Sequence, residues 1–69
     1  MDCNDKQIGR NIKAIRNANK KDYYEFATAI NISEDLLKKI ESGGRHATDQ
    51  TIQKISEITG ISFSSITLS

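Results

Sequence analysis

The aliphatic residues of this chain recur at the spacing of helices and nowhere at the spacing of strands. Ile8, Ile12 and Ile15 stand at i, i+4 and i+7, one stripe of an amphipathic helix running from Ile8 to about Asn19, with Arg10, Lys13 and Asn17 on its other faces. No segment of five or more residues alternates cleanly between apolar and polar, so the plentiful Ile and Thr do not announce a sheet. The chain has no proline, and its breaks fall at Gly, Asn and capping residues. Asp22 and Glu25 have the spacing of a capping box at the head of a second helix, Tyr23 to about Ile30, whose inward residues are Phe26, Ala27 and Ile30. Asn31 follows where the chain must turn, and Asn tolerates a left-handed conformation. Ser33 then caps a third helix of about two turns. Glu34 and Asp35 face the positive end of its dipole, Leu36, Leu37 and Ile40 point inward, Lys38 and Lys39 fill its last turn, and Gly43-Gly44 stops it. Thr48 opens a fourth helix with Ile52, Ile55 and Ile58 on its inner face and Gly60 at its end. Ser62 opens a short fifth with Phe63 and Ile66 turned inward.

These elements fit one small all-α domain over residues 1–69, with a core from about 8 to 66 and short flexible ends. Hydrophobic residues make up 36% of the chain and charged residues 28%, so most of the Ile, Leu and Phe must be buried to form a core at all. Cys3, the single cysteine, cannot make an internal disulfide, which points to a reducing, cytoplasmic setting. No stretch approaches the roughly 18 apolar residues of a membrane span, and the start Met1-Asp2-Cys3-Asn4-Asp5-Lys6 lacks the apolar core of a signal peptide, so no membrane partner is expected.

Ten Lys and Arg against nine Asp and Glu leave a net charge of only +1, but the distribution is lopsided. Lys6, Arg10, Lys13, Arg16, Lys20 and Lys21 crowd the first third, against Asp2, Asp5 and Asp22. Catalysis finds no support. His46 and Cys3 are far apart in sequence, which leaves neither a zinc set nor a Cys/His nucleophile, and Glu34 and Asp35, adjacent on a helix, point in different directions. No metal, cofactor or small-molecule ligand is expected, and the chain is not read as an enzyme.

The second helix, the turn at Asn31 and the third helix make two short helices joined by a tight turn, the plan of a DNA-binding helix-turn-helix. A wider register surrounds it: Ile8-Gly9 and Arg16, Phe26-Ala27, Ile32-Ser33, Ile40-Glu41-x-Gly43, Ile52, Ile55, and Gly60-Ile61-Ser62. From about Ile8 to Ile66 the chain resembles the phage repressor and Cro type of helix-turn-helix, the XRE-like family. The resemblance implies a five-helix domain with the third helix in the major groove of double-stranded DNA, the start of the second helix against the phosphate backbone, and dimers on a two-part operator. It also implies a structural ion pair between Arg16 and Glu41, preferred here over a direct DNA role for either residue.

Carried onto this chain, the family's base-reading positions fall on Ser33, Glu34, Asp35 and Lys39. Lys39 suits guanine O6 and N7, whereas Glu34 and Asp35 stand where many relatives carry Gln, Ser, Thr or Arg. Two carboxylates near phosphates are repelled unless they accept from cytosine N4, so they either read cytosine or simply complement the helix dipole. Phosphate contacts are implied for Tyr23, Lys38, Ser42, Gly44, Arg45 and His46. Tyr23 replaces a frequent Gln; its hydroxyl can reach a phosphate, and Tyr23 and Tyr24 also read as half-buried rings with wet hydroxyls. Gly43 and Gly44 would let main-chain N–H groups approach phosphates, or serve as a plain helix stop.

The leading expectation is a sequence-specific DNA-binding transcriptional regulator that acts as a homodimer. The alternative is a helix-turn-helix fold used as a protein-interaction module, antirepressor or antitoxin-like, whose acidic third-helix start meets a basic protein. The chain ends at Ser69, soon after Ile66 and Leu68, so a dimer is expected to use helices four and five or the tail, with Leu68 as the candidate.

Overall fold

The computed structural model describes residues 3–68 and is all-helical. Five helices follow one another: α1 (Cys3–Ala18), α2 (Tyr23–Ala29), α3 (Glu34–Ser42), α4 (Asp49–Thr59) and α5 (Phe63–Thr67). α1 packs on α3 and α5, α2 on α3, and α4 on α5. Their apolar stripes meet in a single core in which Ile12, Leu37, Ile55 and Ile66 are wholly buried and Phe26, Ile40 and Ile52 nearly so.

The caps explain where each helix starts. Asp22 accepts from the Glu25 N–H at 2.8 Å while its own N–H donates to the Glu25 carboxylate, a reciprocal capping box. Ser33, Thr48 and Ser62 accept from the N–H groups of Leu36, Thr51 and Ser65. Each satisfies a donor that the first helical turn leaves without a partner. Asn31 makes the α2–α3 turn in the left-handed conformation (φ 63°), and Gly43 and Gly60 end α3 and α4 in the same region.

Three expectations need correction. α1 begins at Cys3, five residues ahead of Ile8, because tertiary contacts hold its first turns. The Asp5 carboxylate binds His46 Nδ1 at 2.8 Å, and Lys6 packs beside Gly43. Ile58 does not join the inner face of α4 but is 44% exposed. Thr51, seven residues earlier and within about 20° of Ile58 around the helix, is buried, so the face itself is covered at the start of α4 and left open at its end, where Ile58 stands one residue before the last of the helix. Tyr24 is not half-buried; it is exposed, unlike Tyr23. The expected flexible ends include residues 1–2 and 69, which lie outside the described residues, while residues 3–7 are helical.

Candidate nucleic-acid interface

α3 divides cleanly into two faces. Leu37, Ile40 and Glu41 are buried and Leu36 is half-buried, whereas Glu34, Asp35, Lys38, Lys39 and Ser42 are exposed. At 3.6 residues per turn the five exposed positions occupy an arc of about 140°. Ser33, exposed at the N-cap, continues that arc at its start, and the loop residues Gly44, Arg45 and His46, all exposed, continue it past its end. Every base-reading position carried over from the resemblance therefore lies on one accessible surface.

The orientation of that surface is fixed from behind. Arg16 of α1 grips Glu41 of α3 with two parallel bonds, Nε to Oε2 at 2.7 Å and Nη2 to Oε1 at 3.1 Å, and its third nitrogen donates to the Lys21 carbonyl at 3.0 Å. The two side chains are only 8% and 3% exposed. The hydrogen bond to Glu41 raises the Arg16 pKa above its ordinary value, and burial opposes it more weakly. Arg16 also lies over the Tyr23 ring, 4.1 Å from its centre, so one guanidinium ties α1 to α3, to the start of α2 and to the connecting loop.

The end of α3 is closed by its own backbone. The Gly43 N–H donates to the Ile40 carbonyl and the Gly44 N–H to the Lys39 carbonyl at 2.8 Å, while the Ser42 hydroxyl donates to Lys39 as well. The two glycine N–H groups thus complete the helix stop. Gly43 is buried against Lys6, and Gly44 is the exposed one. His46 is tied to Asp5 across 41 residues, a link that no local sequence signal could have disclosed. Asn11 was likewise missed: its amide donates to the carbonyls of Ile66 and Leu68 at 2.9 and 2.7 Å and fastens the end of α5 to α1.

Among the described residues no group of three or more His, Cys, Asp or Glu stands together so as to hold a metal ion, and no helix is long and apolar enough to cross a membrane. No curated protein and no solved structure matches the chain. A family model described as helix-turn-helix does match, over residues 12–66, which takes in the end of α1, both helices of the motif, and α4 and α5 to Ile66. With the paired helices, the buried joint and the exposed α3 arc already in place, this match makes the chain a member of the XRE-like helix-turn-helix family, a DNA-binding domain of the repressor and Cro type.

Proposed function

We propose that this chain is a sequence-specific transcriptional regulator that lays α3 in the major groove and binds a two-part operator as a homodimer. The observation that carries the reading is the exposed α3 arc, rigidly backed by the Arg16–Glu41 pair and continuous with a loop bearing Arg45 and His46. Ser33, Glu34, Asp35 and Lys39 are assigned to base edges, with Lys39 directed to guanine and the two carboxylates to cytosine N4. Lys38, Ser42, Arg45 and His46 are assigned to phosphates, and Gly44, with no side chain, lets a strand come close. Tyr23, at the head of α2, carries Arg16 and Lys38 over its ring and is not itself assigned to a phosphate. The exposed Ile58 and Leu68, on α4 and just past α5, are the apolar side chains assigned to a second copy. No catalytic role, cofactor or small-molecule ligand forms part of the reading, and residues 1–69 act as one domain of a cytoplasmic protein.

The test is fluorescence anisotropy of labelled duplexes titrated with the protein at about 50 and 200 mM salt, first with pooled random DNA and then with sequences selected from it. Far tighter binding to the selected duplexes, with a steep salt slope, supports the regulator. Equal and feeble binding to both favours the second reading, a protein-interaction module. The exposed Glu34 and Asp35 at the front of α3 support that alternative, since they could meet a basic partner surface.

A further inference from the structure

Tyr23 opens α2 with its ring half-buried, and cations from both neighbouring helices lie over it. Arg16 Cζ is 4.1 Å and Lys38 Nζ 5.3 Å from the ring centre, both inside the range of about 6 Å at which an aromatic face attracts a cation. Glu41 already balances the Arg16 charge, so Lys38 can share the ring without two uncompensated positive charges meeting.

The position of Lys38 is informative because a nearer partner is on offer. Glu34 stands four residues ahead of it on α3, the spacing and order at which a Glu–Lys pair forms most readily, and both side chains are exposed. Among the described residues, however, the close contacts between acidic side chains and Lys, Arg or His are the Arg16–Glu41 ion pair and the Asp5–His46 hydrogen bond, and neither involves Lys38 or Glu34. An exposed ion pair gains little in water, whereas the ring offers attraction together with cover for the lysine stem.

We infer that Tyr23 is a positioning residue for the reading helix: its ring holds Lys38 off Glu34, so that Lys38 is available to a phosphate and Glu34 keeps its carboxylate for a base edge. The inference rests on the DNA-binding regulator proposed above. It assigns the contribution of Tyr23 to the ring face, where a direct phosphate contact would need the hydroxyl. Phenylalanine then serves as well as tyrosine, and an aliphatic residue does not.

The experiment compares the unaltered chain with Tyr23→Phe, Tyr23→Leu, and Tyr23→Leu combined with Glu34→Gln. Each is titrated against a selected duplex at several salt concentrations, and the proton shifts of the Lys38 ε-methylene are recorded without DNA. Tyr23→Phe is expected to match the unaltered chain in affinity, salt slope and the upfield ring-current shift at Lys38. Tyr23→Leu is expected to lose that shift, to bind about two- to fivefold more weakly, and to show a log–log salt slope shallower by about 0.9, the loss of one phosphate contact. Adding Glu34→Gln returns the slope, because Lys38 no longer has a carboxylate to fall back on. Equal losses for Tyr23→Phe and Tyr23→Leu would place the function in the hydroxyl and overturn the inference, as would an unchanged slope in Tyr23→Leu. Absence of the ring-current shift in the unaltered chain overturns it without any variant, even if Tyr23→Leu fails to fold. Failure of the unaltered chain to prefer any duplex removes the regulator reading itself, and the inference with it.

Discussion

Gly9 of α1 lies against the backbone of Ile40 in α3, so closely that a β-carbon at position 9 would overlap the Ile40 carbonyl oxygen and stand 2.9 Å from that of Glu41. Neither obstacle is a flexible side-chain end, so α1 and α3 would have to separate. Gly9→Ala is expected to destabilise the domain by about 1–3 kcal/mol despite alanine's better helix propensity. Urea unfolding followed by circular dichroism checks it; an unchanged or raised midpoint would show that the two helices can part at no cost.

The Arg16–Glu41 pair makes a second prediction about the same helix junction. Both side chains are almost wholly buried, so removing one leaves a buried charge without its partner. Glu41→Leu or Arg16→Met alone is expected to cost about 3 kcal/mol, and the double substitution to recover most of it, because an apolar pair can replace a buried ion pair. The pH dependence follows from the direction of the arginine shift. Because the folded state raises the Arg16 pKa, the stabilisation is fully present below the unfolded value and is lost only as pH rises through the folded one. On its alkaline side the contribution is therefore constant through neutral pH and fails only in strong base. A double-mutant cycle at neutral and mildly alkaline pH measures both effects.

Lys20, two residues past the end of α1, takes the left-handed conformation, φ 56°, a region that costs a residue with a β-carbon about 1 kcal/mol. The Lys21 N–H reaches back to the Arg16 carbonyl at 3.2 Å, a closure that glycine usually supplies. Lys20→Gly is expected to stabilise the domain by about 0.5–1 kcal/mol, with relief of strain exceeding the added freedom of the unfolded chain. Asn31→Gly, at the other positive-φ position, should gain less, because asparagine already tolerates it. A lower melting temperature for Lys20→Gly would show that its side chain contributes more than its backbone costs.

On DNA the exposed cations should separate by role. Lys39→Ala is expected to relax preference at one base pair, costing about 1–3 kcal/mol on the preferred duplex and little on random DNA. Arg45→Ala should weaken all duplexes nearly alike and lower the salt slope by about one contact. Glu34→Gln and Asp35→Asn should raise non-specific affinity by removing repulsion from phosphates. Identical profiles for Lys39→Ala and Arg45→Ala would contradict the assignment of α3 as the reader.

Helix order, caps and stops were legible in the chain because they are decided within about four residues. The Asp22–Glu25 box, the Ser33, Thr48 and Ser62 caps, the left-handed Asn31 and the Gly43 and Gly60 stops all stand where the sequence puts them. The exposed arc of α3 follows from the same local period. Isoleucine spacing does not tell that Ile58 is exposed, since period gives the face of a helix and not how far along it a neighbour covers that face: Thr51, on the same side one pair of turns earlier, is buried.

Residue order alone dictates a set of short helices with defined ends and faces, since period and capping are local physics. The Arg16–Glu41 partnership, spanning 25 residues, came from family resemblance and from no spacing rule. Tertiary structure alone decided that α1 starts at Cys3, that Asp5 meets His46, that Asn11 fastens the end of α5, and that Lys38 lies on Tyr23 and off Glu34. The reason is the same in each case: a polar group selects among several chemically adequate partners only once packing has fixed which of them is near, and Gly9 and Ile40 bring α1 and α3 close enough to make that selection.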